Sequence, residues 1–278
     1  MTVSLKTAVW ISAAAALAVA VRAAAAEVRL PEKNKFKIVV LAGQSNMAGR
    51  GKIDPADNKP HPRVVMMNAQ GEWVPCVDPV HFDSSRAGVG PGKTFGEALA
   101  ESDPSITVGL VPTAVGATSI TCWRPGETAK WKRPKHVWHP YDDCIARAKK
   151  ALERGTLAAI LWHQGESDCN ARAATRHREL FPEFVARLRK VLDAEGVPLI
   201  VGGLRNERTH TPAGRMIAAT EKKTCEQTHG PGKYVPAKDD YGLEPDRIHF
   251  DRAAQQDFGR RYFEAYQEVV RGNAKITH

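Results

Sequence analysis

The sequence predicts an α/β protein with a three-layer α/β/α sandwich, in which helices cover both faces of a central parallel sheet. Two observations predict this fold. Short runs rich in apolar and β-branched residues, such as FKIVVLAG at 36–43 and LAAILWHQG at 157–165, have the length and composition of buried parallel strands. Segments with apolar residues at helical spacing alternate with these runs, and that alternation is typical of parallel sheets.

The predicted elements follow one another in a regular order. The strand at 36–43 is followed by a short strand in RVVMMNA, a helix in KTFGEALAES and a strand in ITVGLVPTAVG. The acidic start, apolar spacing and glycine stop of YDDCIARAKKALERG predict the next helix. The strand LAAILWHQG, a helix in ATRHRELFPEFVARLRKVLDAEG, the strand PLIVGGL and a closing helix in AQQDFGRRYFEAYQEVVR complete the chain.

The first residues predict export. Lys6 precedes an apolar run, AVWISAAAALAVAV, that ends in AAAAE, which is the layout of a secretory signal peptide. Arg22 interrupts this run before it reaches the length of about 20 residues that a membrane span requires. We therefore expect a signal peptide at 1–26, a single domain at 27–278, a secreted or periplasmic location, and no stable membrane insertion after cleavage; an uncleaved anchor is the alternative.

Charge and cysteine content give few further constraints. The formal net charge of +9 falls to about +7 without Lys6 and Arg22, and the remaining basic residues are scattered, as on a solvated surface. A nucleic-acid partner would need a focused basic patch, so none is expected. Five cysteines without C-x-x-C spacing leave at least one thiol unpaired; their pairing and the oligomeric state are not determined by the sequence.

Polar residues follow directly after several predicted strands, where parallel sheets bind their ligands. In GQSNMAGRG, Gly43 allows a tight turn and Ser45 can be activated by a neighbouring base. In DRIHFD, Asp246 precedes His249 by three residues, so its carboxylate can orient one imidazole nitrogen while the other faces the serine. Each of these residues alone is as typical of a cap or a turn, and the combination favours a nucleophile, an acid and a base.

Ester chemistry would also need donors for an oxyanion. The candidates are the backbone N–H groups of Ser45 and Gly116 and the side-chain amide of Gln164, although Gly116 also fits a turn and Gln164 also fits a loop tie. Glu166 in HQGESD is the alternative acid for His249.

The remaining candidates lie beside these motifs. Trp123 and Arg124 are candidates for substrate binding, and a core role fits Trp123 equally well. We expect His163 and Asp168 to anchor loops. His163 and Glu166 lack a third ligand of suitable spacing, so no metal is expected.

GQSN, VGATS, HQGESD and DRIHFD occur in the order and spacing of the SGNH hydrolase superfamily, whose sheet is flavodoxin-like. More narrowly, the chain resembles the sialate O-acetylesterase-like branch, which includes the acetylxylan esterases of carbohydrate esterase family 6. The resemblance covers the whole of 27–278 and implies that Ser45 is the nucleophile, that Asp246 and His249 are the acid and base, and that Gly116 and Gln164 are oxyanion residues. Gln164 stands where the superfamily has asparagine, a replacement that is usual in this branch.

The resemblance implies a serine esterase without a cofactor, which removes O-acetyl groups from a carbohydrate such as acetylated xylan or acetylated sialic acid through an acyl-enzyme. Two alternatives remain. A general carboxylesterase or lipase on the same scaffold would need an apolar groove, whereas these loops are rich in Trp, Arg, His and Pro. A non-catalytic carbohydrate-binding protein would have no reason to keep Ser45, Asp246 and His249 together.

Overall fold

The computed structural model describes residues 28–129 and 137–276 and confirms the predicted α/β/α architecture. One sheet contains the strands in the order β3–β2–β4–β1–β5–β6–β7, and all neighbouring strands are parallel except β2 and β3. The strands are β1 (Phe36–Gly43), β2 (Val64–Met67), β3 (Trp73–Pro75), β4 (Thr107–Pro112), β5 (Thr156–His163), β6 (Leu199–Gly202) and β7 (Gly232–Val235).

The helices begin and end where local chemistry favours it. The Asn170 side chain accepts the Ala173 N–H at the start of the fourth helix, and the Thr211 hydroxyl accepts the Gly214 N–H at the start of the sixth. The helices are α1 (Ser45–Ala48), α2 (Pro91–Ser102), α3 (Pro140–Leu152), α4 (Ala171–Leu192), α5 (Asn206–Thr209), α6 (Pro212–Lys223) and α7 (Arg252–Ile276).

Two apolar cores lie on the two faces of the sheet. Alternate residues of β1 point to opposite faces, so Ile38 and Val40 pack with α3 and α4, whereas Val39 and Leu41 pack with α2 and α7. This strand is buried on both sides, which explains why it is a continuous apolar run.

The predicted strands and helices are all present, with shifted ends. The strand predicted at 106–116 ends at Pro112, and α7 continues to Ile276. The elements β3, α5, α6 and β7 were not predicted. The proposed signal peptide at 1–26 lies outside the described residues. Within those residues, no helix is both long and apolar enough to cross a membrane, and all five cysteines are free thiols.

The strand order determines where a site can form. The chain places β4 on one side of β1 and β5 on the other, so β1 lies at the point where the strand order reverses. Ligands of open α/β sheets bind beyond the carboxyl ends of the strands at such a point. The polar motifs after β1, β4 and β5 therefore meet at one edge of the sheet.

Candidate active site

Ser45 lies in the first turn of α1, directly after the central strand. Gly43 ends β1 with φ +130°, and a Cβ atom there would lie 2.2 Å from the His163 carbonyl oxygen. Glycine is therefore required at this close approach. The Gln44 N–H donates to the same carbonyl at 2.9 Å, which joins the ends of β1 and β5. As the first helical residue, Ser45 has an N–H without an intrahelical acceptor.

The three residues expected to act as nucleophile, base and acid form one hydrogen-bonded chain. His249 Nε2 lies 2.8 Å from Ser45 Oγ, and His249 Nδ1 lies 2.6 Å from Asp246 Oδ2. Asp246 Oδ1 accepts the backbone N–H groups of Ile248 and His249 at 3.0 and 3.1 Å. Burial works to raise the pKa of Asp246, but these hydrogen bonds outweigh it and lower the pKa to about 2. The carboxylate is thus ionised when it faces the imidazole.

Glu166, the alternative acid, has different partners. Its Oε1 accepts a hydrogen bond from Asn46 Nδ2 and lies 3.9 Å from His163 Nε2. Of the two candidate acids, Asp246 is the one in contact with His249. Glu166 lies in the wall of the cavity above Ser45, with its side chain 4% exposed.

Two of the expected oxyanion donors, Gln164 and Gly116, already have hydrogen-bond acceptors in the structure. The Gln164 side chain is fully buried, and its amide donates to the Thr118 carbonyl at 3.0 Å and to Asp168 Oδ2 at 2.9 Å. The same nitrogen lies 3.3 Å from Gln44 Oε1, so the amide already has protein acceptors, and the structure supports the interpretation as a loop tie. Gly116 does line the cavity, but its N–H donates to Asp83 Oδ2 at 2.9 Å and is not free.

The two candidates for substrate binding, Trp123 and Arg124, lie in different environments. Trp123 is completely buried, with its ring 4.9 Å from that of Trp162 and 5.6 Å from that of Phe184, and its Nε1 donates to Thr118 Oγ1. It is a core residue and cannot stack on a sugar. Arg124 is exposed and pairs with Glu127. Neither residue is part of the cavity wall at Ser45 as far as the described residues form it.

A buried ion pair beside Ser45 was missed by the sequence analysis. Arg50 Nη2 lies 2.7 Å from Asp83 Oδ2, and the two side chains are 6% and 1% exposed. A Cβ atom on Gly116 would lie 2.6 Å from Arg50 Nη2 and 3.4 Å from Ser45 Cβ. The pair therefore packs against the turn after β4 and supports the floor of the site. Arg50 belongs to the GQSNMAGRG motif, but nothing in the sequence indicates that Asp83 is its partner.

The cavity over Ser45 has a volume of about 300 Å³. Two of its guanidinium groups, Arg86 and Arg208, form no ion pair with a described residue. The wall therefore offers several hydrogen-bond donors. It is lined by Gln44, Ser45, Arg50, Ser84, Arg86, Gly116, Ala117, Glu166, Ser167, Arg208, Ile248 and His249.

Asp168 anchors the loops beneath the site, as expected. Its Oδ2 accepts the Ile120 N–H at 2.9 Å and the Gln164 amide at 2.9 Å, and lies 3.1 Å from His177 Nδ1. On its other side, His177 Nε2 lies 3.5 Å from Glu221 Oε1. Burial works to lower the pKa of His177, but the two carboxylates outweigh it and raise the pKa to about 9. This pKa favours the charged form of His177 at neutral pH, whereas burial raises the pKa of its second partner, Glu221.

His163 also has a structural place. Its Nδ1 lies 2.7 Å from the Tyr262 hydroxyl, and burial lowers its pKa. Among the described residues, no group of three or more His, Cys, Asp or Glu side chains is arranged to hold a metal ion.

Comparison with known proteins gives a family match over most of the chain. The sequence profile of the family described as carbohydrate esterase, sialic acid-specific acetylesterase matches residues 35–268. A protein of Arabidopsis thaliana named as a probable carbohydrate esterase is 31% identical over 258 residues, which cover 83% of this chain and 90% of the plant protein.

Solved structures share the fold. The crystal structure of the same Arabidopsis protein has a TM-score of 0.71 at 26% identity and covers 86% of this chain and 99% of that one. The structure of NanS has a TM-score of 0.67 at 16% identity, covering 88% and 100% of the two chains. A carbohydrate acetylesterase from Xanthomonas citri has a TM-score of 0.64 at 17% identity, covering 86% of this chain and 57% of that one.

Proposed function

Because the chain belongs to the carbohydrate esterase family of sialic acid-specific acetylesterases, we propose that it removes O-acetyl groups from a carbohydrate by a serine mechanism. The observation that carries this proposal is the hydrogen-bonded chain from Ser45 Oγ through His249 to Asp246. A hydroxyl that is hydrogen-bonded to an oriented imidazole at the floor of an open cavity is the arrangement that ester hydrolysis through an acyl-enzyme requires.

In the first step, Ser45 Oγ attacks the acetyl carbonyl carbon while His249 Nε2 takes the hydroxyl proton. Asp246 holds the imidazole in place and stabilises the imidazolium that forms. His249 then gives the proton to the sugar oxygen, which leaves as an alcohol. In the second step, a water molecule attacks the acetyl-serine with His249 again as base, and acetate and free Ser45 result.

The developing oxyanion needs at least one preorganised donor. We assign the Ser45 N–H to this role, because the helix start leaves it without an intrahelical acceptor. The Gly116 N–H is next to the site and joins as second donor when its hydrogen bond to Asp83 is shared with the substrate.

Acetylated sialic acid and acetylated xylan are the candidate substrates, and the cavity favours the first. Sialic acid carries a carboxylate, whereas a xylan backbone is neutral. Arg86 and Arg208 present guanidinium groups at the cavity without an acidic partner among the described residues. Guanidinium groups pair well with carboxylates, so the acid sugar has interactions available that the neutral one lacks.

The deciding experiment is acetate release by the wild type and Ser45→Ala from acetylated sialic acid, acetylated xylan, p-nitrophenyl acetate and p-nitrophenyl octanoate. We expect release that depends on Ser45, fastest from the acid sugar and slow from octanoate. Faster turnover of octanoate than of acetate would favour a general carboxylesterase or lipase. Equal release by the wild type and Ser45→Ala would refute the serine mechanism.

The apolar run before AAAAE supports export of the domain at 27–278 after removal of residues 1–26. Amino-terminal sequencing of the protein secreted by its bacterial expression host would test this. A first residue of Glu27 supports the proposal, and a protein that retains Met1 contradicts it.

A further inference from the structure

Asn46 follows the nucleophile directly and lies between three elements of the site. Its side chain is buried, and the residue is 1% exposed. Its Nδ2 donates to Glu166 Oε1, in the turn after β5. Its Oδ1 accepts the backbone N–H of Phe250 at 3.1 Å and the Gln255 side-chain amide at 3.4 Å. One amide thus connects the turn that carries Ser45 with the residue that follows His249.

The turn that carries the base needs such a connection. Residues 245–248 are exposed, and apart from the contact of Nε2 with Ser45 Oγ the hydrogen bonds of His249 are local. Its N–H donates to Asp246, its Nδ1 lies against the same carboxylate, and its carbonyl accepts the Glu244 N–H. Exposed turns with few buried contacts open easily. The Phe250 N–H bonded to Asn46 is a buried, long-range contact adjacent to the base.

Glu166 fixes which way the Asn46 amide points. A carboxylate accepts hydrogen bonds and a backbone N–H donates them. Nδ2 must therefore face Glu166, and Oδ1 must face Phe250. With the opposite orientation both hydrogen bonds would be lost in a buried environment, which is unfavourable.

We propose that Asn46, held by Glu166, is a positioning residue that sets the distance between Ser45 Oγ and His249 Nε2. This inference rests on the proposed serine esterase function and adds two residues to it, neither of which touches the reacting atoms. It also gives Glu166 a role other than triad acid. Since the effect of displacing a base by about 1 Å is roughly 100-fold in rate, loss of Asn46 lowers kcat and has little effect on KM.

The test uses Asn46→Ala, Glu166→Ala, Glu166→Gln and the double variant Asn46→Ala/Glu166→Ala, with acetate release from p-nitrophenyl acetate and from the best acetylated sugar. We expect kcat to fall about 10- to 100-fold in both single alanine variants, for both esters, with KM within about threefold. The double variant should lose no more than either single variant, because the two residues act through one another.

Glu166→Gln separates positioning from acid–base chemistry. A glutamine presents an amide oxygen to Asn46 Nδ2 and keeps the hydrogen bond, so kcat should stay within about threefold of the wild type. An inactive Glu166→Gln would overturn the inference and would indicate that Glu166 takes part directly in acid–base catalysis. The comparison of Glu166→Gln with Glu166→Ala still decides if Asn46→Ala fails to fold.

The matched control is Asn170→Ala, which removes the asparagine cap of α4 and changes a residue that does not line the cavity at Ser45. It should lower stability and leave kcat unchanged, so a loss of kcat there would show that the assay reports unfolding. Full activity of Asn46→Ala, or losses that multiply in the double variant, would overturn the inference. If Ser45→Ala releases acetate as fast as the wild type, the proposed function fails as well.

Discussion

Removing the charge of Asp168 should destabilise the protein in a pH-dependent way. Asp168→Asn keeps an oxygen that can accept the Ile120 and Gln164 hydrogen bonds, but it removes the negative charge facing His177. The groups that face this imidazole are Asp168 from the turn after β5 and Glu221 from α6, and the Phe181 ring stacks on it at 5.4 Å.

The pKa of His177 gives the size of the effect. It is about 9 in the folded protein and about 6.5 in an unfolded chain. A raised pKa contributes stability that is fully present below about pH 6.5 and is lost as the pH rises through about 9. The contribution is roughly 3 kcal/mol at its maximum, and Asp168 supplies a large part of it.

The measurement is urea unfolding of the wild type and Asp168→Asn at about pH 6 and about pH 10. We expect the variant to lose up to about 3 kcal/mol of unfolding free energy at pH 6 and much less at pH 10, where His177 is neutral in both proteins. The exposed Glu183→Gln serves as control, and its effect should be below about 0.5 kcal/mol. A loss of the same size at both pH values would refute a charged His177.

Three further changes test the site and its supports. Asp246→Asn should lower kcat on p-nitrophenyl acetate by about 10²- to 10⁴-fold, and a loss below about tenfold would argue against Asp246 as the acid. Trp123→Ala should lower the free energy of unfolding, measured in urea, by about 3–5 kcal/mol. A raised KM without lost stability would instead indicate that this tryptophan binds the substrate. Gly116→Ala would place a Cβ atom 2.6 Å from Arg50 Nη2 and 3.0 Å from Asp83 Oδ2, so kcat/KM should drop by about tenfold or more as their hydrogen bonds break. Unchanged kcat/KM would show that this turn can move freely.

The sequence predicts the central layers well, because buried parallel strands and amphipathic helices leave clear patterns. The elements it misses are less typical. The strand β7 is a short edge strand with three partly exposed residues, so it lacks an apolar run. The signal for α6 was available, since Thr211 and Pro212 form a cap and first helical residue, but the helix beyond them is mostly polar.

The candidate site was predictable where its residues are local in sequence. Ser45 follows a strand directly, so it lies in the turn at the end of that strand. Asp246 lies three residues from His249, so the two side chains can meet within one turn. Contacts between distant segments gave no such signal. The pairing of Arg50 with Asp83 spans 33 residues, and the burial of Trp123 depends on packing against β5 and α4, which no local pattern reports.

The five free thiols affect how the protein responds to oxidants and reductants. Burial raises the pKa of the Cys76 and Cys225 thiols strongly and that of Cys144 to about 11. Burial also raises the pKa of Cys169 to about 11. Since the thiolate is the form that attacks disulfides and oxidants, these sulfurs react slowly near neutral pH. The fold carries no cross-link for a reductant to break, so we expect the same melting temperature with and without dithiothreitol.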